Sequence, residues 1–229
     1  AIKGIAKACR VLAVPVVSGN VSLYNESRGQ AIYPTPIVGG LGLLNNASQS
    51  VKTGFTEEGH KVFLIGSTSL SPKSSDLAGS EYLQLIHGKV LGRPSINLAL
   101  EKQLQLLCRK AISNNILASC HDCSDGGIAV ALSESCIQNG IGFELSPDLN
   151  RPSKRWDTVL FGERQSRVVV STTPNNGNTL TQLALDLSVP ILEIGTTGGE
   201  YLRLQNNLSV SVRSLHQAWE NDLTPVINP

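Results

Sequence analysis

Short apolar runs of strand length alternate along this chain with segments whose apolar residues recur at helical spacing. Val62–Gly66 is a continuous apolar run, whereas Leu98–Ile112 places its leucines on one face of a predicted helix. Further strands are predicted at Ile116–Ser119, Gly142–Leu145, Val168–Val170 and Ile191–Ile194, and a hairpin at Tyr201–Leu204 and Leu208–Val212. This alternation predicts an α+β or α/β fold, and periodicity alone does not choose between the two.

The first 48 residues are predicted to form a helix, a strand, a loop and a second strand. The first strand ends at Ser18-Gly19, and the second covers Pro36–Leu44. The polar residues from Asn45 to Gly59 then predict a linker to a second unit. The chain contains no methionine and opens inside the predicted helix, so we expect it to be a fragment of a longer protein.

Bulk composition excludes several classes of function. The chain has 229 residues and a net charge of +1 with no long basic run, so nothing predicts a nucleic-acid partner or an anionic membrane surface. No apolar stretch approaches the roughly 20 residues of a membrane span. Five cysteines form an odd count without framework spacing. They predict free thiols in a reducing compartment, the cytoplasm.

Polar residues follow the first predicted strand within the run Ser-Gly-Asn-Val-Ser-Leu-Tyr-Asn-Glu, residues 18–26. The amide oxygen of Asn20 and the carboxylate of Glu26 are hard ligands of the kind that magnesium accepts while it shares the phosphates of a nucleotide. Gly19 allows a phosphate or another backbone to approach closely. From the residues alone, a polar loop that leaves a buried strand fits the same run.

Cys120 and Cys123 form a Cys-x-x-Cys pair around His121. A structural zinc site needs four ligands, and no second Cys/His pair is spaced to complete one. We therefore expect no metal here, and instead predict a strand end followed by a tight turn.

Two further segments each admit two interpretations. Ser124-Asp125-Gly126-Gly127 before a predicted helix fits an anion cradle, because free backbone N–H groups and a helix N-terminus favour negative charge. It equally fits an ordinary turn with Asp125 as the helix cap. Residues 162–167, Gly-Glu-Arg-Gln-Ser-Arg, lie between apolar strands and predict a salt-bridged loop rather than a substrate contact.

Five segments occur in an order that resembles one enzyme family. They are residues 18–26, Gly79–Gly88, His121–Leu132, Leu160–Arg167 and Ile194-Gly195. Together they resemble the synthetase subunits of phosphoribosylformylglycinamidine synthases of the small, multi-subunit type. The similarity extends over nearly the whole chain and corresponds to the C-terminal end of such a subunit.

The resemblance implies a fold of the aminoimidazole ribonucleotide synthetase superfamily, in which an N-terminal α/β domain precedes a C-terminal α+β domain. The family's subunit contains this pair twice. Residues 1–48 would be the end of the second N-type domain, 55–200 the complete second C-type domain, and 201–229 a C-terminal tail.

The resemblance also implies a reaction, in which formylglycinamide ribonucleotide, ATP and ammonia from glutamine give formylglycinamidine ribonucleotide, ADP and phosphate. Matched residue by residue, Gly19 would contact ATP, Asn20 would bind Mg²⁺, and Ser22 would contact the ribonucleotide. The family's proton-accepting histidine and main carboxylate ligands belong to the part of the subunit that this sequence does not match. No catalytic residue is therefore assigned here, and Arg164 departs from the family pattern, which has serine at that position.

The partners implied by the resemblance are a glutaminase subunit and a small accessory subunit. Two alternatives remain open. This part of the chain could be a non-catalytic scaffold or an auxiliary nucleotide-binding half. It could also belong to a sister ATP-dependent enzyme of the superfamily, although the run from Asn20 to Glu26 argues against that.

Overall fold

The structure is a computed structural model that describes residues 1–22, 26–33, 35–44, 46–70, 73–147, 149, 155–205 and 208–221. The chain divides into two compact units, Ala1–Ser48 and Gln49–Pro229, which we call unit 1 and unit 2. The predicted domain limits of 55–200 and 201–229 stay a prediction. Among the described residues, no helix has both the length and the hydropathy that a bilayer crossing requires.

Unit 1 begins with the predicted helix, α1 (Ile2–Leu12). The helix ends where Ala13 adopts a left-handed conformation with φ of 57°, and the chain then continues without regular structure. A small hairpin follows, formed by β1 (Glu26–Ser27) and β2 (Gln30–Ala31). Its two turn residues, Arg28 and Gly29, have φ of 52° and 77°, as a two-residue hairpin turn of type I′ requires.

The two strands predicted for unit 1 are wrong within the described residues. Neither the segment that ends at Ser18-Gly19 nor Pro36–Leu44 forms a strand. A strand needs a neighbouring backbone to accept its hydrogen bonds, and the described part of unit 1 provides none to these segments. Their apolar side chains are exposed: Val17 retains 91% of its accessible surface and Leu41 retains 105%. Apolar composition alone therefore misled the prediction here.

Among the described residues, unit 2 contains one sheet of seven strands with helices on both faces. The strands are β3 (Lys61–Gly66), β4 (Ser119–Asp122), β5 (Phe143–Leu145), β6 (Arg167–Thr172), β7 (Ile191–Thr197), β8 (Tyr201–Leu204) and β9 (Leu208–Ser211). The helices are α2 (Glu81–His87), α3 (Leu98–Ser113), α4 (Gly127–Ile137), α5 (Trp156–Leu160), α6 (Gly177–Asp186) and α7 (Val212–Asn221). The strand order is β4-β6-β3-β7-β5-β8-β9, antiparallel throughout except for the β5–β8 pair.

Two hydrophobic cores cover the two faces of this sheet. Val62 and Leu64 of β3 point into the first core, together with residues of α4, α5 and α7. Phe63 and Ile65 point into the second, against α3 and α6. The sequence of a strand that is buried on both faces is continuously apolar. The prediction of a strand at Val62–Gly66 is therefore confirmed.

β7 contains a bulge where it pairs with β3. Val62 lies opposite Gly195, but Phe63 lies opposite Glu193, so Ile194 is an extra residue on β7. A Cβ on Gly195 would lie 2.1 Å from the backbone oxygen of Glu144 and 2.8 Å from the ring of Phe143. The fold therefore requires glycine after Ile194, because only glycine fits against β5 at this point.

Most other predicted elements of unit 2 are confirmed, with one shift. The strand predicted at Ile116–Ser119 lies instead at Ser119–Asp122. Ile116 instead closes the C-terminal end of α3, because its N–H donates to the carbonyl oxygen of Ala111. Asn115, just before it, turns the chain with a φ of 53°. Ile116 and Leu117 are buried in the second core, so their apolar character reflects packing rather than strand pairing.

Candidate functional site

Gly19, Asn20 and Ser22 lie in the extended segment that follows α1 in unit 1, and all three are exposed. A Cβ on Gly19 would meet no atom within 4 Å. The described residues provide no hydrogen-bond partner for the side chain of Asn20 or Ser22. Their oxygen atoms are thus available to a ligand, and the roles assigned to them stay predictions. The next residues of the run, Leu23, Tyr24 and Asn25, lie outside the described residues.

Local structure on both sides fixes where this segment begins and ends. The N–H of Val14 donates to the carbonyl oxygen of Cys9 at 3.0 Å, which closes the end of α1 before the chain extends. The β1–β2 hairpin begins at Glu26, whose side chain is exposed. The two hard oxygen ligands proposed from sequence, Asn20 and Glu26, are therefore both accessible to solvent.

The turn between β4 and α4 contains the glycine pair that suggested an anion cradle. Gly126 and Gly127 have φ of 75° and 64°, which favours glycine at both positions. A Cβ on Gly127 would lie 2.8 Å from the backbone oxygens of both Leu160 and Gly162. The pair therefore lets the start of α4 pack closely against the chain that follows α5.

A carboxylate from the chain itself occupies this cradle. Oε1 of Glu163 accepts hydrogen bonds from the N–H of Gly126 at 2.9 Å and from the N–H of Glu81 at 2.8 Å. Glu163 thereby joins the N-terminus of α4 to that of α2, where backbone N–H groups carry partial positive charge. Of the two interpretations of residues 124–127, the ordinary turn agrees with these contacts, but the predicted cap is wrong. Gly126, not Asp125, is the N-cap of α4, where no side chain caps the helix and Glu163 accepts the N–H of Gly126.

The predicted salt-bridged loop at residues 162–167 is confirmed. Arg164 and Asp76 form an ion pair with a 2.5 Å contact, and their side chains are only 18% and 11% exposed. Arg164 also donates to the hydroxyl of Ser67 at 3.3 Å. The arginine that departs from the family's serine is therefore held by contacts within unit 2.

The structure separates the two cysteines of the Cys-x-x-Cys pair. Cys123 belongs to the first core, whereas Cys120 packs against the second. Cys120 instead interacts with Cys108 of α3: a hydrogen bond between the two thiols lowers the pKa of Cys120 and raises that of Cys108. Sequence reasoning missed this pair, because Cys108 lies on a different element.

Both ring nitrogens of His121 already contact neighbouring oxygen atoms. Its Nε2 lies 2.9 Å from the carboxylate of Glu134, and its Nδ1 lies 2.8 Å from the carbonyl oxygen of Asp122. Within the described residues no group of three or more histidine, cysteine or acidic side chains is arranged to hold a metal ion. The expected lack of zinc stays a prediction for metal analysis.

We predict that the native chain, prepared without chelators, contains no stoichiometric zinc. We also predict that its fold protects Cys123 and Cys136 from alkylation. Burial raises the pKa of each of these thiols to about 12, so at pH 8 only about one molecule in 10⁴ carries the reactive thiolate. Iodoacetamide labelling followed by peptide mass spectrometry should find both unmodified until urea is added. About one zinc per chain, lost in a Cys120→Ser, Cys123→Ser double variant, would contradict the prediction.

Comparison with known proteins gives a family match to most of unit 2. The family described as "AIR synthase related protein, C-terminal domain" matches residues 57–205. This range begins just before β3 and ends just after β8.

Curated relatives match almost the whole chain. A phosphoribosylformylglycinamidine synthase subunit PurL from Anaeromyxobacter sp. (strain Fw109-5) is 40% identical over 99% of this chain and 30% of the relative. Its counterpart from Thermomicrobium roseum is 42% identical over 97% of this chain and 30% of the relative. The chain thus spans about 30% of the length of these relatives.

Solved structures share the fold at low sequence identity. Thermotoga maritima PurL complexed with FGAR has a TM-score of 0.59 and 18% identity, over 74% of this chain and 30% of that one. The same protein complexed with ATP gives 0.57 and 17%, over 74% and 28%. The PurLQS structure from that organism gives 0.56 and 17%, over 74% and 28%. These likenesses identify the fold.

Proposed function

This chain belongs to the family of AIR synthase related proteins, and from that premise we propose that it is the C-terminal part of a phosphoribosylformylglycinamidine synthase subunit PurL. The observation that carries the proposal is the 40% identity to PurL subunits over 99% of the chain. The run at residues 18–26 supports it, because hard oxygen ligands next to a glycine suit a nucleotide and its metal ion.

In the proposed reaction, ATP transfers its γ-phosphoryl group to the amide oxygen of formylglycinamide ribonucleotide, with release of ADP. Ammonia then attacks the activated carbon, and phosphate leaves with that oxygen to give the amidine. Catalysis of phosphoryl transfer depends mostly on positioning and on electrostatic stabilisation of the charge that develops.

Three residues of unit 1 would contribute to that positioning. Gly19 leaves room for the nucleotide, since nothing lies within 4 Å of its absent Cβ. The exposed amide oxygen of Asn20 fits Mg²⁺, which prefers oxygen ligands and, when bound, would offset charge on the phosphates. The hydroxyl of Ser22 would hydrogen-bond the ribonucleotide.

We propose as partners a glutaminase subunit, which supplies ammonia, and a small accessory subunit. The solved PurLQS structure from Thermotoga maritima, a protein of the same fold, supports this proposal. We also propose the cytoplasm as the compartment. All five cysteines are free thiols, as a reducing environment favours.

One observation favours a mainly structural role for unit 2 within that enzyme. The carboxylate of Glu163 fills the backbone cradle at Gly126 in which an anionic ligand would otherwise bind. Unit 2 would then support the reacting site without touching the substrate at this turn.

The proposal predicts that the isolated chain is inactive. With ATP, formylglycinamide ribonucleotide and ammonia supplied directly, the purified 229-residue chain should release no phosphate above a blank, since the family's proton acceptor and main metal ligands lie outside it. A complete subunit that contains these residues should release phosphate only when ATP and the ribonucleotide are both present. A complete subunit without that dependence on both substrates would contradict the proposed function.

A further inference from the structure

A polar cleft of about 310 Å³ opens on the surface of unit 2. Its described walls come from the segment after β3, the loop before α3 and the loop after α5. These supply Ser67, Lys73, Ser75, Asp76, Ala78, Arg93, Pro94, Ser95, Asn97 and residues 163–166, with Leu100 of α3. Its volume is at the lower end of the range for small-molecule sites, roughly 300–1,000 Å³.

Two cations in this cleft lack a counter-charge. Lys73 and Arg93 are exposed, and the described residues offer neither of them an ion pair or a side-chain hydrogen bond. The two carboxylates of the cleft are already satisfied. Asp76 pairs with Arg164, and Glu163 accepts the N–H groups of Glu81 and Gly126. The N–H groups that Glu163 accepts from are neutral and leave its negative charge in place, so Lys73, Arg93 and Glu163 together give the lining a net charge of +1.

A further cation lies behind the wall of the cleft. Arg167 is 3% exposed and donates to the carbonyl oxygens of Ser67 and Ser69, both at 2.8 Å. Among the described residues its Nη1 has no hydrogen-bond partner. Because neutral carbonyl groups leave the charge of Arg167 in place, this buried guanidinium adds positive potential next to Ser67, which lines the cleft.

Hydroxyl groups complete the donor set. Ser75 and Ser95 line the cleft, are exposed and have no side-chain partner among the described residues. The hydroxyls of Ser67 and Ser166, by contrast, already contact Arg164 and Glu101. Two free hydroxyl groups and two unpaired cations line the same cleft, and each can donate to an oxygen of a bound anion.

We propose that this cleft, formed by residues of unit 2 alone, is a binding site for a phosphate monoester. A phosphate monoester carries about −1.5 to −2 charge at neutral pH, which matches the net +2 that Lys73, Arg93 and Arg167 leave once Glu163 is counted. The described lining contains no aromatic side chain that could stack on a base. The phosphate group, rather than an attached base, is therefore the part that the cleft recognises.

Isothermal titration of the full 229-residue chain with ribose 5-phosphate at low salt tests the proposal, with ribose as the neutral control ligand. We expect a Kd in the millimolar range or tighter for ribose 5-phosphate and no binding of ribose. Lys73→Gln and Arg93→Gln should each weaken Kd about fivefold or more, because each removes one of the two free charges. Both residues are exposed, so circular dichroism should show an unchanged fold.

Two control variants separate this site from other sources of binding. Lys102→Gln removes an exposed charge of α3 that does not line the cleft, and it should leave Kd unchanged. Ser22→Ala should also leave it unchanged. If Ser22→Ala abolishes binding, the phosphate is held at the proposed substrate contact, which overturns the cleft site but supports the proposed function. No binding up to 20 mM, or equal loss with Lys102→Gln, would overturn the cleft site alone.

Discussion

Replacing Asn20 by alanine in a complete synthetase subunit should lower turnover by about tenfold to a thousandfold, or ~1.4–4 kcal/mol of barrier. Magnesium demands near-octahedral oxygen coordination, and water replaces a lost protein ligand only imperfectly. The effect should appear on the rate, because the ion offsets charge that develops on the transferring phosphoryl group. The melting temperature should barely change, because the side chain is exposed and has no partner among the described residues.

Steady-state phosphate release at saturating ATP, together with a thermal melt, checks this prediction. Asn175→Ala is a matched control, since Asn175 is also exposed but lies in unit 2. Gly19→Val should act differently and weaken apparent ATP affinity first, because its side chain would intrude where the nucleotide approaches. If Asn20→Ala unfolds the protein while the folded fraction keeps full turnover, Asn20 is structural and the site assignment is wrong.

Gly195→Ala should lower the free energy of unfolding of unit 2 by about 3 kcal/mol. The added methyl group would lie 2.1 Å from the backbone oxygen of Glu144, and two atoms of the Phe143 ring lie 2.8 Å away. Phe143 is fully buried, so its ring has no free space into which it can move. Relief would require β5 and β7 to separate, and this would break the ladder between them.

Urea unfolding followed by tryptophan fluorescence measures this effect, since both tryptophans of the chain, Trp156 and Trp219, lie in unit 2. Thr196→Ala provides the control, because Thr196 is the exposed neighbour of Gly195 on the same strand. We expect the control to change stability by less than about 0.5 kcal/mol. Equal midpoints for Gly195→Ala and the parent chain would show that the β5–β7 contact adapts at no cost.

Unit 2 was largely predictable from sequence because its periodic apolar residues are buried between strands and helices, as the prediction from periodicity assumes. β3 and β6 are interior strands of the sheet and are covered on both faces, so their runs are continuous. The predicted inward face of α3 is confirmed by the burial of Leu104, Leu107 and Ala111. In unit 1 the same kind of run remains exposed, and the inference from apolar character to strand failed there.

Long-range contacts in unit 2 could not be read from the sequence. Glu163 satisfies N–H groups at Glu81 and Gly126, which are far away along the chain and brought together only by the fold. The partner of Cys120 is Cys108, not the nearby Cys123, because residues three apart on a strand and its continuation reach opposite faces of the sheet. The polar cleft likewise draws on three separate loops. Local patterns contain no information on such pairings.

The position of β3 in the sheet has a consequence for how the protein is made. β3 is the first strand of unit 2 along the chain, but its two neighbours are β6 and β7, near the other end. The ladder with β6 cannot form until residues 167–172 have left the ribosome, which at typical rates of synthesis takes roughly 5 s or more after β3 emerges, and the ladder with β7 forms later still. Throughout that time Val62–Ile65 is an apolar segment without either neighbouring strand, so the nascent chain needs this segment shielded from aggregation.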